Sequence, residues 1–111
     1  ILDRLPPKEG HVLIMPKEHC ANIFELDPEK AGRLFTLAAK IGRAMKDVLG
    51  FENMNVLQNN GPVAGQTVNH FHLHLIPRYE NDKVNVSWPQ MDLTDEQIES
   101  VRAKLTQKMV F

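Results

Sequence analysis

Five histidines in two short segments are the residues of this chain best suited to chemistry. His11 and His19 lie in GHVLIMPKEH, and His70, His72 and His74 alternate with apolar residues in HFHLHLIPR. Same-side neighbours on a β-strand lie about 6.5–7 Å apart, so imidazoles at this spacing can converge on one small target. The sequence therefore predicts one site assembled from two strand-like segments.

Spacing alone leaves three interpretations of this cluster open. The first is a half-buried polar face whose rings bond to the backbone, although clustered imidazoles repel one another when charged. The second is a metal site, since three histidines are a known zinc-ligand set, although the carboxylates that orient such ligands are scarce nearby. The third is catalysis at a phosphoryl centre, in which a neutral imidazole attacks and a protonated one serves the leaving group.

The loop before the triple-histidine segment favours the third interpretation. Residues 59–66 read NNGPVAGQ. Gly61 and Gly65 permit close backbone approach, and the N–H groups of residues 65–67 can cradle an anionic oxygen. The loop is not a P-loop, because it lacks the GxxxxGK[ST] pattern.

Three segments are predicted to be strands that position these residues. Residues 12–15 form a β-prone run stopped by Pro16, and residues 53–58 alternate. Residues 68–76 also alternate, which separates the three histidines from a core-facing set of Phe71, Leu73 and Leu75. Arg78 is expected to be a surface charge at the strand end.

A long amphipathic helix is predicted over residues 28–49. Asp27 is a good N-cap, Pro28 suits the first helical position and Gly50 supplies the stop. The apolar positions cover a wider arc than packing against one sheet needs: Leu34, Phe35, Leu37, Ala38, Ile41, Ala44, Met45, Val48 and Leu49. We therefore expect this helix to contribute to a homodimer interface.

Length and composition limit the class of protein. The 111 residues fit one domain, and a formal charge of −1 excludes the cationic excess of general nucleic-acid binders. No apolar run approaches the roughly 18 residues of a membrane span. The single Cys20 rules out an intrachain disulfide framework and suits a reducing compartment, so we expect a cytoplasmic protein. Because the chain begins at Ile1 without a methionine, we expect an incomplete N-terminus.

The string NNGPVAGQTVNHFHLHLIPRY resembles the signature of the histidine-triad (HIT) superfamily, a His-φ-His-φ-His-φ-φ motif preceded by a Gly-Gln-Ser/Thr loop. GHVLIMPKEH resembles the upstream segment of the same family, and its spacing from Asp3 also matches. The likeness covers about residues 1–80. It is closest to bacterial members near the histidine-triad nucleotide-binding branch, which are purine nucleoside phosphoramidases.

The resemblance implies an α+β, HIT-like fold. Residues 1–111 would form a single HIT domain that is N-terminally incomplete: an antiparallel sheet with one long helix and a C-terminal helix, for which Thr94 and Gln97 form a capping box. The family usually pairs as a homodimer through the long helix and a strand. The family's N-terminal strands, and the Cys-x-x-Cys with which many bacterial members bind zinc, are absent here. No cofactor is therefore expected, and a structural zinc would need a missing N-terminal segment.

The resemblance also implies an activity, the hydrolysis of a nucleoside 5′-phosphoramidate or related nucleotidyl bond to release nucleoside monophosphate. His72 would attack the α-phosphorus and form a nucleotidyl-histidine intermediate, with its other ring nitrogen held by a backbone carbonyl. His74 would contact the phosphate. His70, His11 and His19 would support the site through hydrogen bonds.

Further substrate contacts follow from the same likeness. Thr67 and Gln66 would serve the phosphate and the leaving group, with Asn59 and Gly65 also at the phosphate. Asp3 would accept hydrogen bonds from the ribose hydroxyls of a purine nucleotide. Arg4 departs from the family, which commonly has an apolar residue there against the base.

Two alternative functions remain open at this point. One is a dinucleoside polyphosphate hydrolase, which the string GPVAGQTV also resembles. The other is a nucleotide-binding or partner-binding module with incidental turnover. Neither nucleic-acid nor membrane binding is expected.

Overall fold

The computed structural model describes residues 1–2 and 10–109 of the chain. Its strands are β1 (Val12–Ile14), β2 (Asn53–Leu57) and β3 (Leu73–Arg78), and its helices are α1 (Pro28–Leu49) and α2 (Asp95–Lys108). The strands form an antiparallel sheet in the order β1-β3-β2. This confirms the predicted α+β class with one long and one C-terminal helix.

Helix α1 has the predicted bounds because its ends carry strong local signals. The Asp27 side chain accepts a hydrogen bond from the Glu29 N–H, and Gly50 ends the helix in the left-handed conformation at φ +74°. Gly42 lies where α1 approaches the sheet closely, since a Cβ there would be 3.0 Å from the Met54 Cε atom.

The core lies between α1 and one side of the sheet. Phe71, Leu73 and Leu75 are at most 2% exposed, as the alternation predicts. They pack with a set of apolar residues from α1, β1 and the connecting segments: Ile14, Leu26, Leu34, Ala38, Met45 and Phe51. One side of β3 therefore belongs to the core, and the other remains available for the site.

Strand β3 begins later than the alternation of residues 68–76 predicts. The Phe71 N–H donates to the Cys20 carbonyl, and the His70 N–H donates to the Val68 carbonyl, so these groups do not join the β1–β3 ladder. The strand instead continues through Pro77, which pairs with Met54 on β2 and lies beyond the residues paired with β1. A proline is tolerated there because no ladder bond from its nitrogen is required.

Residues after β3 lead away from the sheet to α2. The predicted capping box is present, with the Thr94 hydroxyl accepting from the Gln97 N–H and the Gln97 side chain accepting from the Thr94 N–H. Within the described part of the chain, no helix has the length and apolar character needed to span a membrane.

Candidate active site

The central histidine of the triad is held by the backbone of the first. The Nδ1 atom of His72 lies 2.7 Å from the His70 carbonyl oxygen. A carbonyl oxygen only accepts, so Nδ1 carries the hydrogen and donates it. In the neutral ring this leaves the lone pair on Nε2, the atom able to act as a nucleophile. The backbone contact implied by the sequence resemblance is thus present.

His11 joins the site from the neighbouring strand segment. It lies one residue before β1, whose register pairs Leu13 with His74, so His11 is the diagonal neighbour of His74. The Nε2 atom of His11 is 2.9 Å from the Nδ1 atom of His74. One ring must donate and the other accept. His11 is 4% exposed, so this pair lies largely shielded from water.

His74 also contacts the ring of His72, with centroids 4.7 Å apart and planes at 66°. The rings of His11 and His74 are 5.1 Å apart between centroids. Three imidazoles from two segments that are distant in sequence therefore form one continuous cluster, as the sequence predicts.

His70 and His19 form a second histidine contact beside this cluster. The His70 Nε2–H donates to the Pro16 carbonyl at 2.8 Å, which ties the triad segment to the segment after β1. His19 is exposed and meets the His70 ring edge to face, at 5.4 Å between centroids. Within the described residues this ring contact takes the place of the hydrogen bond expected for His19.

Gln66 organises the loop before the triad with both polar atoms of its side chain. Its Oε1 accepts from the Gly61 N–H at 2.7 Å. Its Nε2 donates to the Ala21 carbonyl at 2.6 Å and to the Val68 carbonyl at 3.0 Å. The side chain thus closes the loop on itself and attaches it to the segment after His19.

The other loop residues selected from the sequence lie at its open side. Gly65 has φ +96°, and a Cβ there would be 3.3 Å from the Asn59 Nδ2 atom, closer than an ordinary contact. Asn59 therefore lies directly against the Gly65 backbone. Thr67 follows Gln66 and is exposed. Asp3 and Arg4 lie outside the described residues, so their expected roles stay predictions.

Two residues that sequence reasoning did not select also shape this loop. Gln58 and Asn60 exchange hydrogen bonds between their side-chain amides, at 2.7 and 2.8 Å. The Asn60 Oδ1 atom also accepts from the Ile23 N–H at 2.7 Å, across 37 residues. Only the polar run QNN could have signalled this, because the partner at Ile23 is not visible in a local pattern.

Metal binding gains no support from the arrangement of the described side chains. Among residues 1–2 and 10–109, no group of three or more His, Cys, Asp and Glu side chains is arranged to hold a metal ion. Cys20 is a free thiol of intermediate exposure whose carbonyl, not its sulfur, bonds to the triad segment.

Comparison with known proteins places this geometry in context. A family model described as the HIT domain matches residues 1–81. An adenosine 5′-monophosphoramidase of Schizosaccharomyces pombe is 38% identical over 109 residues, which cover 97% of this chain and 79% of that protein.

Two solved structures are similar along nearly the whole chain. A HIT family protein from Bacillus anthracis superposes with a TM-score of 0.92 at 40% identity, covering 98% of this chain and 79% of that one. A member of the HIT family from Bacillus subtilis superposes with a TM-score of 0.91 at 33% identity, covering 99% and 80%. The likeness therefore extends beyond the residues that the family model matches.

Proposed function

This chain belongs to the HIT family and is a nucleotide-binding hydrolase of that type, and we propose that it cleaves nucleoside 5′-phosphoramidates. The products are a nucleoside monophosphate and a free amine. The proposal takes its substrate class from the named activity of the Schizosaccharomyces pombe relative. Its chemistry rests on the described histidine cluster.

The observation that carries the proposal is the hydrogen bond from His72 Nδ1 to the His70 carbonyl. It orients the ring and leaves Nε2 as the nucleophile. Attack by Nε2 on the α-phosphorus forms a P–N bond to His72 as the P–N bond to the amine breaks, and the amine departs with a proton. Water then attacks the phosphorus of the nucleotidyl-histidine, which releases the monophosphate and returns the imidazole.

His74 and His11 suit the binding of the phosphate oxygens. When the His11 Nε2–H donates to His74 Nδ1, a neutral His74 carries its hydrogen on Nε2 and can donate it to an anionic oxygen. The 4.7 Å separation of the His72 and His74 rings supports contact of both with one phosphate.

The loop of residues 59–67 suits the other side of the phosphate. Gln66 uses its side chain to fix the loop, so the backbone N–H groups of residues 65–67 are the groups we assign to the phosphate. Asn59 lies against Gly65 and is assigned to the same ligand. Thr67 is assigned to the leaving group because its hydroxyl is exposed and can give or take a proton.

The remaining parts of the proposal concern selectivity and assembly. Asp3 binds the ribose hydroxyls of a purine nucleotide, and the reaction needs no metal cofactor. The protein acts as a homodimer through α1 and the edge strand β2, where apolar side chains of both elements line one exposed surface. We expect a cytoplasmic location.

Two other activities remain candidates, and one assay separates all three. We would measure kcat/KM on adenosine 5′-phosphoramidate and on a diadenosine polyphosphate, and the affinity for adenosine monophosphate. A larger kcat/KM on the phosphoramidate supports the proposal. A larger value on the dinucleotide would replace it with polyphosphate hydrolysis. Binding with no turnover of either substrate would indicate a nucleotide-binding module.

A further inference from the structure

The last part of the described chain makes few contacts with the rest of it. We call residues 80–109, which lead from β3 to the end of α2, the C-terminal arm. Within the described residues, all hydrogen bonds and ion pairs of α2 stay inside residues 94–109, and no α2 side chain is buried. The radius of gyration is 16.7 Å, against about 13 Å for a compact domain of about 100 residues.

Helix α2 nevertheless has an apolar stripe of the kind that packs against another element. Ile98, Val101, Leu105 and Met109 recur at spacings of three and four residues and are each 51–56% exposed. A helix of 14 residues is marginal in water without tertiary packing. The stripe therefore needs a partner that the described chain does not provide.

The arm leaves the sheet in a fixed direction. Arg78 donates to both carboxylate oxygens of Asp82, to Asn55 on β2 and to the Val84 carbonyl. The Asp82 carboxylate also accepts from the Tyr79 and Val84 N–H groups. This cluster at the end of β3 anchors the first residues of the arm to the sheet.

The placement of the arm recurs in the two Bacillus structures. The arm makes up about a quarter of the chain, yet the superpositions cover 98–99% of it with TM-scores above 0.9. A displaced arm would not allow such values. An arm that has the same placement in separate proteins, without support from its own body, is held by a contact outside its own chain.

We propose that α2 docks through its apolar stripe on a second copy of this chain. The body offers an exposed apolar surface between α1 and β2, with Arg43 and Lys46 among its lining residues. The first half of α2 is acidic, with Asp95, Glu96 and Glu99. Its charge thus complements the margin of the surface assigned above to the homodimer, so the contact of α2 extends that interface. The inference rests on the proposed homodimer.

Photo-cross-linking in the full chain tests this docking. A benzophenone amino acid is placed at Leu105 on the stripe, and at Ser100 on the opposite side of α2 as the matched control. After irradiation, we expect covalent dimers on a denaturing gel for the Leu105 probe, at least about five times more than for the Ser100 probe. A link within one copy, no link, or equal links from both positions would overturn the proposal.

Light scattering of the parent chain separates this inference from the homodimer itself. If the chain is dimeric and the Leu105 probe gives no covalent dimer, only the docking of α2 is wrong. If the chain is monomeric, both are wrong. Leu105→Glu should raise the dissociation constant of the dimer by about tenfold, and Ser100→Glu by less than about twofold. Equal effects of the two variants would also contradict the docking.

Discussion

The Nδ1 atom of His72 lies 2.7 Å from the carbonyl oxygen of His70, two residues earlier in the same motif. The contact is local, so it depends on the spacing of the two histidines and not on the rest of the fold. Since the carbonyl can only accept, the contact determines which nitrogen of His72 is free to react. A His-x-His pair thus supplies both the nucleophile and the group that orients it.

Replacement of His72 should abolish turnover with little effect on nucleotide binding. His72→Ala removes the proposed nucleophile, and kcat should fall by several orders of magnitude, about as found when other nucleophiles are removed. The exposed His19 makes only a ring contact, so His19→Ala should change kcat by less than about tenfold. Single-turnover kinetics of both variants would check this.

Acid-quench mass spectrometry of the wild-type protein identifies the residue that carries the intermediate. We expect the nucleotidyl group on His72. A nucleotidyl group trapped on His70 or His74 would show that the assignment of the nucleophile is wrong.

Gly65 should be required for both the loop conformation and activity. Gly65→Ala places a Cβ 3.3 Å from Asn59 Nδ2 at a φ of +96°, a conformation that costs about 1–3 kcal/mol for a residue other than glycine. The loop must shift, so kcat/KM should fall by more than the loss of folded protein explains.

Gly32→Ala serves as the matched variant for Gly65→Ala. Gly32 lies in α1 with nothing within 4 Å of a Cβ, and alanine there should stabilise the helix by about 0.5–1 kcal/mol. We expect unchanged kcat/KM for this variant. Urea denaturation and steady-state assays of both proteins provide the comparison, and equal activities would contradict the role of the loop.

Removal of metal ions should leave turnover intact. The proposed nucleophile is an imidazole oriented by a backbone carbonyl, and backbone N–H groups can bind the charge on the phosphate. Incubation with a chelator should therefore change kcat by less than about twofold. A large loss that zinc restores would favour the three-histidine metal site instead.

Local signals explain which elements the sequence predicts well. Helix α1 has the predicted ends because Asp27 and Gly50 act on neighbouring backbone groups. Residues 68–72 keep a strand-like alternation, but the Phe71 N–H bonds to Cys20, 51 residues earlier, and so the strand starts after them. Alternation reports which side is buried; it does not report which backbone partner is available.

The candidate site divides in the same way. The convergence of His11 with the triad was predictable because both segments are strand-like and both carry imidazoles. The burial of Asp82 was not, and Arg78 was expected to be a surface charge. The turn that brings them together has positive φ angles at Asn81 and Lys83, residue types that do not demand this conformation.

Asp82 should make the stability of the protein depend on pH in the acid range. Hydrogen bonds from Arg78 and from the backbone N–H groups of Tyr79 and Val84 hold the pKa of Asp82 far below its ordinary value of 3.8. Because the folded state favours the charged form, its stabilisation is complete above pH 3.8 and is lost as the pH falls below that value. The side chain is 3% exposed, so few water molecules can replace these partners.

Asp82→Asn should therefore lower the urea midpoint at pH 7 and pH 5, and the difference from the wild type should shrink at pH 3. The exposed Glu80 makes no hydrogen bond among the described residues, and Glu80→Gln should have little effect at any of these values. A difference between wild type and Asp82→Asn that stays constant from pH 7 to pH 3 would contradict the linkage.

The dimer interface should lie on one side of α1, next to the edge strand β2. There Phe35, Ala39 and Gly42 of α1 line an exposed surface with Met54 and Val56 of β2. Exposed apolar surface beside an unpaired strand edge is commonly buried in a partner, and two-fold symmetry is the usual arrangement.

Ala39→Glu and Ala44→Glu test the position of this interface. Ala44 belongs to the apolar arc read from the sequence, but it does not line the surface between α1 and β2. A carboxylate at Ala39 would be buried without a partner at a cost of about 3–5 kcal/mol, which raises the dissociation constant at least about a hundredfold. At Ala44 the carboxylate would stay in water, so the dimer should persist. Light scattering across a dilution series measures both, and a parent chain that is monomeric at micromolar concentration, or a dimer that survives Ala39→Glu, would show that the interface lies elsewhere.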